Sequence, residues 1–368
     1  HFDALVVAER LHPDHVGAGV DVGSISKDTR AYLGGTAHAN KDISIQALSR
    51  EDISSLSASE QIDFSSDIAG AGGIYLLELL TQASVKEGAI VSSDGNILVT
   101  ERPGRLRIIK QGQLQSQAIP GLPTITAKGQ GGLLDVTLHP DYSKNGWIYF
   151  SYVAGTGNKF GTEVGRGRLV DNQIIDWQTL FRLQPKSSTG RHFGSRLLFD
   201  RDNYLYISLG DRGERFRAQD LNDHAGSLIR LHDDGSLPAD NPFINQQRKQ
   251  AEIYSYGHRN IQGAAVNPST GKIWVHEHGP QGGDELNIIE AGKNYGWPVI
   301  TYGKEYGSGD DIGEGTHQAG MQQPVYYWVP SIAPSGMTFY NGDQFPAWRG
   351  NLFIGSLKFR LLVRLELD

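Results

Sequence analysis

The feature that most constrains this chain is a repeat that begins near Ser93. Each copy is a turn, an apolar or alternating strand of a few residues, a glycine-rich bend and a second strand. Ser93-Asp-Gly-Asn-Ile-Leu-Val-Thr leads to Gly104-Arg-Leu-Arg-Ile-Ile, and Asn145-Gly-Trp-Ile-Tyr-Phe-Ser-Tyr leads to Gly165-Arg-Gly-Arg-Leu. Further copies run from Arg201 to Leu231, from Thr270 to Ile289 and from Trp348 to Leu365. A spacing of roughly 50 to 80 residues suits a propeller blade of four strands with long insertions. Short strands separated by turn signals also build sandwiches, but regular recurrence favours a closed ring of blades. The composition agrees. Glycine reaches 46 residues, beside 15 Tyr, 13 Phe and 6 Trp, as expected of a turn-rich all-β protein.

Residues 1–73 lack this pattern and are rich in Ser, Ala and Gly. They resemble, weakly, the β-solenoid repeats of large secreted bacterial adhesins, and they read equally as a solvated, extended segment. Ala69-Gly-Ala-Gly-Gly73 marks the expected boundary, with a propeller domain over 74–368 whose first strand is Ile74-Tyr-Leu-Leu-Glu-Leu-Leu. The net charge of −7 argues against nucleic acid or an anionic membrane surface as partner. No apolar run approaches the ~20 residues of a membrane span. With no cysteine, disulfides, zinc–thiolate sites and thiol nucleophiles are excluded.

Three clusters place His, Arg, Asn or Glu among glycines at strand ends: Ser188-Thr-Gly-Arg-His-Phe-Gly-Ser-Arg196, Tyr256-Gly-His-Arg-Asn-Ile-Gln-Gly263 and His276-Glu-His-Gly-Pro-Gln-Gly-Gly-Asp-Glu285. Any one alone reads as a tight turn around a hydrogen-bonded histidine. Together they point to one composite site on the rim of a rigid scaffold.

These clusters, with Gly129-Gln-Gly-Gly-Leu-Leu-Asp-Val136 and Lys293-Asn-Tyr-Gly-Trp-Pro298, resemble the soluble PQQ-dependent aldose sugar dehydrogenases of the glucose/sorbosone dehydrogenase family over about residues 74–368. The resemblance implies a six-bladed β-propeller that binds pyrroloquinoline quinone (PQQ) and Ca2+. It implies oxidation of an aldose at C1 to the lactone, an external electron acceptor, and a periplasmic or secreted bacterial setting. It makes His192 the general base and Arg259 the electrophilic partner of the quinone oxygens. Gln130, Arg259, Asn260, Tyr306, Ser356 and Lys358 match cofactor contacts. The Gly279 and Pro280 carbonyls match the catalytic calcium position, and Glu285 with the Tyr295 carbonyl matches a second, structural calcium. His224, His232 and His258 are expected to be structural.

Two departures from the family pattern concern the cofactor-facing end. The Asn-His-Pro-Trp type of segment is replaced by Ala83-Ser-Val-Lys-Glu-Gly88, and the family continues past the position of Asp368 with an Arg-rich motif that closes the ring. The last blade is therefore expected to be incomplete in this chain. The alternative reading is a non-catalytic propeller, a binding or surface module that has lost tight PQQ binding.

Overall fold

The computed structural model describes residues 20–33, 36–39, 72–85, 90–93, 97–110 and 113–367, the first four segments by their backbone alone. Among the described residues five consecutive antiparallel sheets form an all-β propeller. The first has three strands, Ile97–Glu101, Arg105–Lys110 and Gln113–Leu114. The second has four, Leu133–Leu138, Trp147–Thr156, Lys159–Val170 and Gln173–Arg182. The third runs Leu197–Phe199, Leu205–Ser208, Ser227–Leu231 and Ile253–Tyr256. The fourth runs Ile261–Val266, Ile273–Glu277, Asp284–Ile288 and Tyr326–Trp328. The fifth has three, Pro334–Phe339, Leu352–Ser356 and Leu361–Leu365. The helical content of the described residues is one turn at Tyr142–Asn145 and two short 3-10 segments. The five repeat copies read from sequence each supply two adjacent strands of one blade. A sixth blade is not present among the described residues.

The core lies between blades. Successive side chains of a strand point to opposite faces, and here both faces are buried. In the strand from Trp147, Trp147 and Tyr149 pack with Leu205, Ile207 and Ile229 of the third blade. The alternate residues Ile148, Phe150 and Tyr152 pack with Leu106 and Ile108 of the first. The third and fourth blades repeat the arrangement through Tyr206, Leu228 and Val275, and the fourth and fifth through Trp274, Leu286 and Ile354. Each such fully buried side chain contributes about 1.5–3 kcal/mol. The first strands of successive blades contact one another in order, so they line the axis.

This topology sets where the glycine-rich clusters lie. Gly129–Gly132, Gly190–Arg196 and Tyr256–Asn260 each lead into the first strand of a blade, whereas Gly210–Gly213, His278–Gly283 and Leu357–Lys358 follow the second strand. Because the two strands are antiparallel, the start of the first and the end of the second share one rim. All the candidate segments therefore face the same end of the ring.

One expectation fails. The run from Ile74 is not a propeller strand: Gly72–Val85 pairs in parallel with Val20–Leu33, and Ile90–Ser93 pairs in parallel with Thr36–Ala39. An apolar run fixes that a strand forms, but not which edge it pairs with. The boundary expected at 69–73 falls largely outside the described residues, as does most of the segment 1–73.

Candidate active site

His192 sits on the loop entering the third blade, with φ at +53° and only 4 % of its surface exposed. A non-glycine residue in the left-handed region is strained and persists only where its surroundings over-determine it. Here the Gln130 side-chain oxygen accepts the His192 N–H at 2.8 Å, tying it to the loop of the second blade. Gly210 faces the same backbone. A Cβ at Gly210 would lie 2.3 Å from the His192 carbonyl oxygen, so only glycine fits there.

The Nδ1 of His192 lies 2.6 Å from Asp211 Oδ1. Asp211 is 1 % exposed and also accepts from Trp297 Nε1 at 2.8 Å and from the Gly213 N–H at 2.6 Å. Burial alone would raise its pKa. The opposing pull of His192, Arg259 and the Gly213 N–H holds the carboxyl below the usual range. An ionised Asp211 fixes the Nδ1–H tautomer, which puts the basic lone pair of His192 on Nε2. Sequence reasoning missed Asp211. Its signal was present, since Gly210-Asp-Arg-Gly213 is another glycine-flanked polar pair at a strand end.

Arg259 and Asn260 enter from the next blade. Arg259 donates to the His278 carbonyl at 3.0 Å, and its guanidinium lies 5.3 Å from the Trp297 ring. Its backbone N–H meets Glu277 Oε2 at 2.5 Å, while its carbonyl accepts the Asp211 N–H at 2.9 Å. The Asn260 side-chain oxygen accepts the Gly194 N–H at 3.1 Å. Gln130, His192, Asp211, Arg259 and Asn260 thus form one bonded network across three blades.

The Gly279–Pro280 bend extends it. The Gly279 N–H is held by Asp284 at 2.9 Å, and Asp284 also accepts from Ile332 and Ala333 at 2.7 and 2.8 Å. Tyr306, half exposed, donates to the Pro280 carbonyl at 3.0 Å. Ser356 is buried and donates to the Ile332 carbonyl at 2.7 Å; the Lys358 N–H donates to the same carbonyl at 3.2 Å, with its side chain exposed. These two residues join the network through the 332–334 segment rather than by touching His192 or Arg259.

Glu285 and Tyr295 line a small cavity together with Arg259, Glu277, His278 and Gly279. Its volume of ≈ 10 Å³ suits one water-sized occupant. Glu277 and Glu285 share one donor, the Asn287 amide, at 3.4 and 3.3 Å. Burial and the Glu277 carboxylate push the Glu285 carboxyl well above the usual range. Two close carboxylates with backbone carbonyls beside them are an oxygen donor set for a hard cation. Among the described residues no group of three His, Cys, Asp or Glu forms a metal cluster, so carbonyls must complete any such site.

Two further histidines of these rim segments are bonded internally. His258 binds Glu277 through Nδ1 at 2.8 Å and Ser255 through Nε2 at 2.9 Å, and stacks on Tyr295. His276 bonds the Ser335 carbonyl, and burial pushes its pKa down to about 3, which keeps it neutral.

A family profile described as Glucose / Sorbosone dehydrogenase matches residues 88–368. An aldose sugar dehydrogenase of Escherichia coli is 50 % identical over 285 residues, covering 76 % of this chain and 76 % of the relative. The crystal structure of the soluble E. coli aldose sugar dehydrogenase in its apo-form matches with a TM-score of 0.72 at 49 % identity, over 74 % of this chain and 79 % of that one. A PQQ-bound aldose sugar dehydrogenase from Streptomyces coelicolor matches with a TM-score of 0.60 at 26 % identity, over 74 % and 75 %.

Proposed function

Because the chain belongs to the glucose/sorbosone dehydrogenase family, we propose that it oxidises aldose sugars at C1 to the lactone with PQQ and calcium, on a six-bladed ring. The observation that carries this reading is the His192–Asp211 pair, at 2.6 Å, bonded into the same rim network as Arg259.

The donor set fits the group. PQQ is a flat tricarboxylate quinone, and Arg259, Gln130, Asn260 and Lys358 supply the cation and amide donors that such a molecule requires. When bound, PQQ supplies the acceptor for the hydride that leaves C1. His192 Nε2 takes the proton of the anomeric hydroxyl as that hydride leaves, so base and leaving hydride act on one carbon. Asp211 steadies the imidazolium that forms and keeps the ring in the tautomer that can accept. The Arg259 guanidinium, held against Trp297 and the His278 carbonyl, stabilises negative charge developing on the acceptor side. Its anchorage removes the cost of reorienting it during the step. The Gly279 and Pro280 carbonyls would hold the catalytic calcium, and Glu285 with the Tyr295 carbonyl would hold the second ion, whose charge would offset the repulsion between Glu285 and Glu277.

Turnover would then require an external electron acceptor. The cysteine-free composition suits a periplasmic or secreted setting. No helix among the described residues is long and apolar enough to cross a membrane. The test is a PQQ titration in calcium buffer. Binding followed by sugar-dependent bleaching of the quinone is the expected result; no bleaching across a panel of aldoses overturns the reading.

A further inference from the structure

Arg212 is fully buried, and its guanidinium makes no ion pair with a carboxylate among the described contacts. Its bonds go to backbone carbonyls, one from Nη1 to Arg191 and one from Nη2 to Thr189 at 2.5 Å. The same guanidinium lies 3.5 Å from the Phe193 ring. In return the Thr189 hydroxyl donates to the Arg212 carbonyl. Burial, reinforced by Arg217, pushes the group down to about 9. A buried cation whose hydrogen bonds go only to neutral carbonyls is costly, and all of these contacts converge on residues 189, 191 and 193.

Those residues flank His192, whose φ of +53° needs an external hold. The fork grips a carbonyl on the residue before His192 and another two residues further back, while the stack pins the residue after it. A planar, five-donor group suits this task, because two carbonyls and an aromatic face can be engaged at once; an ammonium offers no plane to stack. Arg212 is also joined covalently to Asp211, so one turn, Gly210–Gly213, carries both the partner of the His192 ring and the clamp on its backbone.

We propose that Arg212 is a positioning residue for the base: its buried fork holds the 189–193 loop so that His192 keeps its left-handed backbone and its bond to Asp211. Its kinetic consequence rests on the reading of His192 as the base, whereas its structural consequence does not.

The test compares Arg212→Lys, which retains charge but loses fork and stack, with Thr189→Val, which removes only the returning hydroxyl. Two readouts are taken. The first is the histidine ring nitrogen spectrum of the protein without added PQQ, in which wild-type His192 shows the Nδ1–H tautomer. In R212K the His192 signals are expected to shift to mixed tautomers or broaden, with T189V changed in the same direction to a smaller extent. The His258 ring, held by Ser255 and Glu277, reports that each variant is folded and is expected to stay unchanged. The second readout is steady-state turnover of the PQQ- and calcium-loaded protein. R212K is expected to lose kcat about tenfold or more with the sugar KM within a few-fold, because small misplacement of a reacting group falls on the chemical step.

A folded R212K, or a folded T189V should R212K not fold, whose His192 ring spectrum matches wild type overturns the proposal. So does equal loss of kcat and rise of KM with an undisturbed ring. If wild type itself turns over no sugar, the dehydrogenase reading has failed, and the ring spectra still decide whether Arg212 sets the loop.

Discussion

Two buried histidine–carboxylate pairs lie on adjacent blades, each separated by 19 residues in sequence: His192 with Asp211 at 2.6 Å and His258 with Glu277 at 2.8 Å. By residue type and spacing they are alike. They differ in what holds the rest of each ring and backbone. The second nitrogen of His258 meets the Ser255 hydroxyl, and its ring stacks on Tyr295. Its carboxylate also accepts the Arg259 N–H, so the pair braces the backbone under Arg259. His192 instead stands on a strained loop, clamped from behind by Gln130 and Arg212, with Asp211 setting its tautomer. The lesson is that the same pair can stand on a strained rim loop or brace a strand end, according to what holds the backbone around it.

The comparison breaks most visibly through the two histidines. His192→Gln is expected to lower sugar turnover by about 10³-fold, the scale of a lost general base, and also to cost stability, because the buried Asp211 carboxylate loses its partner. His258→Gln is expected to cost about 1–3 kcal/mol of stability by leaving Glu277 without its partner, with turnover reduced far less. Chemical denaturation and steady-state kinetics on both variants check this, and a reversed pattern removes the distinction.

Asp211→Asn is the next largest. It replaces an acceptor that fixes the tautomer and is expected to lower kcat by about 10²-fold. It also carries a pH signature. The folded-state pKa of Asp211 is depressed, so its contribution to stability is present above the ordinary carboxylate value of about 3.9 and is lost as pH falls below it. The stability gap between wild type and D211N, measured by denaturant titration at several pH values, is therefore expected to be full near neutrality and to close below about pH 4.

Smaller effects sharpen the picture at the carboxylate pair. Calcium is expected to raise the melting temperature of wild type in a concentration-dependent way and to do so much less in Glu285→Gln, since a ligand that binds only the folded state stabilises it. Thermal scans with calcium and with a chelator measure this. The smallest effect is Tyr306→Phe. It loses the bond to the Pro280 carbonyl at a half-exposed position, worth about 0.5–1.5 kcal/mol, and is expected to change PQQ affinity by no more than about tenfold.

Much of this was legible in the sequence, for physical reasons. Turn–strand–bend–strand copies located two strands in every blade, because alternation and glycine punctuation are local signals. The first strands of the blades were less legible. Leu197–Phe199 is three residues long and Pro334–Phe339 begins at a proline, so neither carries a strong pattern. The run from Ile74 reads as the first propeller strand but pairs instead with Val20–Leu33, because pairing is a long-range choice. At the site, residues among glycines stood out, and His192, Arg259, Asn260 and Gln130 do fall in one network. What escaped were the residues that work through others. Asp211 and Arg212 lie 19 and 20 positions from His192, and Trp297 reaches Asp211 from a long insertion within the fourth blade. Nothing local in the sequence joins these positions. Only the return of antiparallel strands to one rim does so.

The most direct test of the central claim is single-turnover bleaching of bound quinone by an aldose in His192→Gln and His258→Gln, both loaded with PQQ and calcium. H192Q is expected to bind PQQ yet bleach at least about 10²-fold more slowly than wild type, while folded H258Q is expected to bleach within a few-fold of it. An H192Q protein that bleaches at the wild-type rate would contradict the assignment of the base.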